Sequence, residues 1–110
     1  MTTGDAGQTL VKICGADEIE EEEIRQSEVD GIGKIALYRV GDEIFATADV
    51  CTHGQASLSE DGYHEGFIVT CSWHDGQFDI RTGEPCALPC NIPLKTYKVV
   101  ISDGDVHIEI

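Results

Sequence analysis

Two short segments constrain this chain more than anything else in it: Cys51-Thr52-His53 and Cys71-Ser72-Trp73-His74. Each carries one thiol and one imidazole, so four candidate metal ligands fall in two segments of matched type. Within each segment the two ligands are too close to act through a regular helix face, and they must project from turns. Gly54 follows the first pair directly, and Gly76 follows the second after Asp75. A residue without Cβ lets the backbone turn sharply and approach a bound group closely. Successive amides in such turns form concavities that hold anions. The N–H groups around Gly54–Ala56 and Asp75–Gln77 are therefore placed to donate to a bound anionic group.

Other readings of the same four residues stay open at this point. A structural zinc module uses two Cys and two His, but its usual spacing pairs Cys with Cys and His with His. Here each segment mixes the two. A purely structural role would make the thiols small buried hydrophobes and the imidazoles surface groups. A Cys–His nucleophile pair would need an orienting residue and an oxyanion loop, and neither is visible.

The segments Cys51-Thr52-His53-Gly54 and Cys71-Ser72-Trp73-His74-Asp75-Gly76 resemble the C-x-H … C-x-x-H fingerprint of Rieske proteins. The stretches Cys51–Glu60 and Gly76–Gly83 are similar to the ferredoxins of bacterial aromatic ring-hydroxylating dioxygenase systems, and the likeness runs from about Val11 to the end. In a Rieske [2Fe–2S] centre two Cys hold one iron and two His hold the other. The resemblance thus implies Cys51 and Cys71 as thiolate ligands, His53 and His74 as imidazole ligands, and one [2Fe–2S] cluster as cofactor. It implies a one-electron carrier and not an enzyme, working between a flavin-containing NAD(P)H-dependent ferredoxin reductase and a terminal oxygenase. The small Rieske subunit of a nitrite reductase is the alternative within the same family.

The departures from respiratory Rieske proteins are informative. Those proteins carry an extra Cys in each cluster loop, joined as a disulfide; the matching places here are Ala56 and Trp73. They also carry a Ser and a Tyr after the second His, whose hydroxyls bond to sulfur. Here those places hold Gly76 and Phe78. Fewer hydrogen bonds to sulfur leave the reduced state less stabilised. The expected potential is near the bottom of the Rieske range, about −150 mV.

Length and charge narrow the rest. A chain of 110 residues suits one domain. No apolar run is long enough to span a bilayer. The segment Met1–Gly7 lacks the basic and apolar regions of a signal peptide, which makes the cytoplasm the expected compartment. The formal net charge of −14 disfavours nucleic acid and anionic membranes as partners. It suits a monomeric carrier steered toward basic patches on redox partners. The run Glu20–Glu23 reads as a solvated turn. Of five Cys, Cys14 reads as a core residue, and Cys86 and Cys90 read as thiols in a reducing compartment.

Strand signals dominate the chain. β-rich runs span Leu10–Cys14, Ile24–Val29, Lys34–Val40, Ile44–Ala48, Phe67–Thr70, Gln77–Ile80, Thr96–Ile101 and Val106–Ile110. Gly41-Asp42 and Asp103-Gly104 sit at hairpin positions. No segment has sustained helical periodicity with caps. The expectation is one all-β domain, an antiparallel sandwich or barrel. The resemblance adds a small cluster-binding subdomain over roughly 49–83 and a covering loop over Pro85–Pro93. Trp73 and Phe78 flank the second His as shielding or core aromatics. His64 and His107 read as surface residues, and Tyr38, Tyr63 and Tyr97 carry no distinguishing signal.

Overall fold

The computed structural model describes residues 10–51, 56–71, 76–87 and 92–109. Among these the chain runs through β1 (Leu10–Gly15), β2 (Ile24–Val29), β3 (Gly33–Val40) and β4 (Glu43–Ala48). A one-turn helix α1 (Leu58–Asp61) leads into β5 (Gly62–Glu65), β6 (Ile68–Cys71), β7 (Gly76–Asp79) and β8 (Pro85–Ala87). The chain closes with β9 (Thr96–Ser102) and β10 (Asp105–Glu109). One sheet has the order β1-β10-β9-β4-β3-β2, and the other β5-β6-β7-β8. The all-β antiparallel expectation holds. No helix among the described residues is long and apolar enough to cross a membrane.

β3 is the wall between two cores. Its residues Ile35, Ala36, Leu37 and Tyr38 are all fully buried. Successive side chains of a strand point to opposite faces. Ile35 and Leu37 join Ile44, Ala46, Val106 and Ile108 in the core of the six-stranded sheet. Ala36 and Tyr38 face the other way, toward Leu58 of α1, Val69 and Phe78 of the smaller sheet, and Ile80 just after β7. A strand buried on both faces has no reason to alternate, so Ile35-Ala36-Leu37-Tyr38 is a continuous apolar run. Cys14 sits in the first core, as expected, and burial pushes its thiol pKa up.

Both expected hairpins form. At the β9–β10 turn, Asp103 and Gly104 both have positive φ, 54° and 79°. Such a pair matches the twist of the flanking strands. The four residues Glu20–Glu23 are exposed, as a solvated turn should be.

Four features differ from the sequence expectation. β5 carries little strand signal in the sequence, because Gly-Tyr-His-Glu is short and polar. His64 on that strand is not a surface residue: it is only 4% exposed, its Nδ1 lies 3.1 Å from the Gly66 carbonyl, and its ring meets Tyr38 edge to face. His107 is half-buried on β10. The start of the proline-rich stretch is an edge strand: Phe78 pairs with Pro85 and Gln77 with Ala87. Proline lacks the ladder donor, and the first residue of an edge strand is where that costs least.

Candidate metal centre

Cys51 and Cys71 come from different elements and end in one core. Cys51 follows β4, and Cys71 is the last residue of β6. They are 2% and 3% exposed and share the apolar cluster that contains Tyr38, Leu58, Val69 and Phe78. His53 and His74 lie outside the described residues, as do Gly54, Trp73, Asp75 and Cys90. The structure thus brings the two candidate sulfur ligands together and leaves the two imidazoles undescribed.

The first loop is closed at its neck. Val50 and Ser57 form an antiparallel bridge. The Cys51 amide donates to the Ala56 carbonyl at 2.9 Å, and the Leu58 amide donates to the Asp49 carbonyl at 2.7 Å. Beneath this neck Asp49 is fully buried. Its Oδ2 accepts from Ser57 Oγ at 2.5 Å and from Gln26 Nε2 at 3.1 Å, while Oδ1 accepts from the Ser59 amide at 2.9 Å. Gln26 Nε2 also lies 3.0 Å from Ser59 Oγ, tying β2 to the same network. A buried carboxylate is tolerated when its oxygens are hydrogen-bonded in this way. Sequence reasoning passed over Asp49. The available signal was the helix-start pattern Ser57-x-x-Glu60, and Ser57 does cap α1, accepting from the Glu60 amide at 3.3 Å.

The second loop hangs from a two-stranded ladder. Thr70 pairs with Gln77 and Cys71 with Gly76. Gln77 Nε2 donates to Thr70 Oγ1 at 3.2 Å, a cross-strand side-chain bond just below the loop. Gly76 and Phe78 are both buried, and Phe78 packs in the cluster that holds the two thiols. The aromatic ring thus lines the core beside the candidate ligands and offers them no hydroxyl.

The turn after β7 fixes what comes next. Gly83 has φ +83°, and a Cβ there would collide with the Leu94 carbonyl oxygen. The Leu94 amide in turn donates to the Gly83 carbonyl at 2.7 Å. Only glycine fits this approach. The same turn holds Asp79 and Arg81, joined by bonds of 3.0 and 2.8 Å. The Arg81 guanidinium sits 4.2 Å from the Phe67 ring centre, and Phe67 meets Phe45 of β4 edge to face at 5.7 Å. This stack clamps the smaller sheet onto the larger one. Cys86 is exposed on β8 and lies 3.6 Å from the Glu84 carbonyl.

Two buried thiols in one apolar cluster, each at the root of a loop that carries a His, fit the sulfur half of a mixed-ligand iron–sulfur centre. The comparisons agree. The profile of the Rieske [2Fe–2S] domain matches residues 9–98. The ferredoxin component of the p-cumate 2,3-dioxygenase system of Pseudomonas putida is 46% identical, with 92% of this chain and 86% of that protein covered. The solved structure of the Sphingomonas yanoikuyae B1 ferredoxin superposes with a TM-score of 0.88 at 39% identity, covering 93% of this chain and 99% of that one. A chain of the complex of reduced oxygenase and oxidized ferredoxin in carbazole 1,9a-dioxygenase gives 0.85 at 40% identity, covering 91% and 92%. The chain belongs to the Rieske [2Fe–2S] domain family, and its relatives at this identity are ferredoxin components of aromatic dioxygenase systems.

Proposed function

We propose that this chain is a one-electron carrier whose Rieske [2Fe–2S] cluster is held by Cys51 and Cys71 on one iron and by His53 and His74 on the other. The observation that carries this reading is the burial of both thiols in a single apolar core, each at the root of a segment containing one of the two His. The cluster-binding unit is the region of roughly 49–83, with β8 extending its sheet to Ala87. When bound, the group supplies one reversible electron at a potential set by its surroundings.

The chain's own part is to position and to insulate. The Val50–Ser57 bridge and the Cys51–Ala56 bond fix the first thiol, and the β6–β7 ladder fixes the second. Phe78, Leu58 and Val69 exclude water from the thiol side. An apolar surround of this kind lowers the local dielectric and so tunes the potential.

The partners proposed are a flavin-containing ferredoxin reductase as donor and a terminal aromatic-ring oxygenase as acceptor, in the cytoplasm, with the chain acting as a monomer. The relatives support this, since one is the ferredoxin component of a dioxygenase system and another is found in a complex with its oxygenase. The net charge of −14 favours encounter with basic surfaces. Reconstitution tests it: NADH, a flavin-containing ferredoxin reductase and a terminal oxygenase of an aromatic dioxygenase system are assayed with and without the chain. Electron delivery should require the chain and should slow as salt rises. Equal oxygenase reduction in its absence would refute the carrier role.

A further inference from the structure

Asp49 is the fully buried carboxylate of the described chain. It stands two residues before Cys51 and forms no ion pair among the described residues. Among the described residues, every hydrogen bond its oxygens accept comes from a neutral donor: Ser57 Oγ, the Ser59 amide and Gln26 Nε2. Neutral donors satisfy a carboxylate but do not cancel its charge. In a low-dielectric interior an uncancelled charge is felt over several residues. Burial is the main cause that raises the phenol pKa of Tyr38, a member of the core that holds both thiols, and the Asp49 charge adds a smaller push in the same direction.

Resting on the ligand assignment above, we propose that Asp49 is a positioning residue of the metal centre with two effects. It ties the neck of the Cys51 loop, and its negative charge makes the cluster harder to reduce. The first effect follows from connectivity. Asp49 binds both ends of the loop's exit, Ser57 and Ser59, while its own carbonyl accepts from Leu58. The second follows from sign, since adding an electron near a fixed negative charge is disfavoured.

The two effects separate by substitution. Asp49→Asn removes the charge and keeps the shape. Gln26→Leu removes one donor and keeps the charge. The holoprotein midpoint is read by protein-film voltammetry, and cluster retention is read as loss of visible absorbance in excess chelator. Asp49→Asn should raise the equilibrium constant for one-electron reduction about tenfold, which is about 59 mV. Gln26→Leu should leave the midpoint unchanged or lower it. Both variants should lose the cluster several-fold faster than wild type. If Asp49→Asn retains no cluster, Gln26→Leu alone still decides: faster loss with no rise in midpoint supports the proposal, and a rise overturns it. An unchanged or lower midpoint in Asp49→Asn also overturns it. A wild-type chain with no cluster signal would instead refute the ligand assignment, and that result is read on the unsubstituted protein.

Discussion

Tyr38 and Thr47 are joined across β3 and β4 by a 2.8 Å hydrogen bond between fully buried side chains. Thr47 Oγ1 donates to the Ala48 carbonyl, also at 2.8 Å, so the Tyr38 hydroxyl is the donor in the pair. Burial raises the phenol pKa far above its ordinary value, so the group stays neutral. Tyr38→Phe removes the donor but leaves Thr47 bonded to Ala48. The expected cost is about 1 kcal/mol, read from urea unfolding of the holoprotein. Tyr38→Ala should cost about 3–5 kcal/mol, because it opens a cavity between the two sheets. Equal costs for the two would contradict the packing described.

Gly83 allows a sharper test. A methyl group at this position meets the Leu94 carbonyl, and the backbone is in the left-handed region besides. Gly83→Ala should destabilise the fold by about 2 kcal/mol or more. The Gly31→Ala change is a control: its φ is also positive, +84°, but its Cβ would meet nothing. It should cost about 1 kcal/mol, through backbone conformation alone. Thermal unfolding of both variants checks the difference.

Asp79 ties stability to pH. Hydrogen bonds from the Arg81 side chain, with help from the Arg81 amide, hold its carboxyl below the usual carboxylate range. A depressed folded-state pKa adds stability above the ordinary carboxyl value, and that stability is lost as pH falls through the lowered one. The loss should therefore begin below about pH 4. Asp79→Asn should flatten that part of the stability curve, by less than about 1 kcal/mol because the pair is at the surface. Arg81→Ala should cost more, since it also removes the stack on Phe67. Denaturant titrations at pH 3 and pH 7 would separate the two.

The reduction potential tests the chemistry of the thiol side. Gly76 and Phe78 are buried beside the candidate ligands and supply no hydroxyl. The midpoint should lie at about −150 mV. Phe78→Tyr places a hydroxyl in this core and should raise it. A wild-type midpoint well above zero would contradict the argument.

The sequence was most legible where strand chemistry is local. The hairpin turns at Gly41-Asp42 and Asp103-Gly104 show in composition, because a tight turn needs positive φ at particular positions. The β3 run reads as a strand because β-branched, aromatic and other apolar residues crowd it. What did not show was tertiary. His64 looks like any polar residue in Gly-Tyr-His-Glu; only the ring of Tyr38 and the Gly66 carbonyl make it a core residue. Pro85 looks like a loop signal, and only its partner Phe78 makes it part of a strand. At the candidate centre, spacing and residue type pointed to Cys51, His53, Cys71 and His74. The support beneath them was hidden, because the partners of Asp49 come from β2 and from α1 and its cap, which lie far apart in the chain.

The most direct test of the central claim is the EPR spectrum of the dithionite-reduced protein, taken with iron and acid-labile sulfide analysis. The protein should yield equal amounts of iron and sulfide, and a rhombic signal whose average g lies below that of all-thiolate clusters. Replacing both His53 and His74 should abolish that signal. A preparation without labile sulfide, or a spectrum unchanged by loss of the two imidazoles, would contradict it.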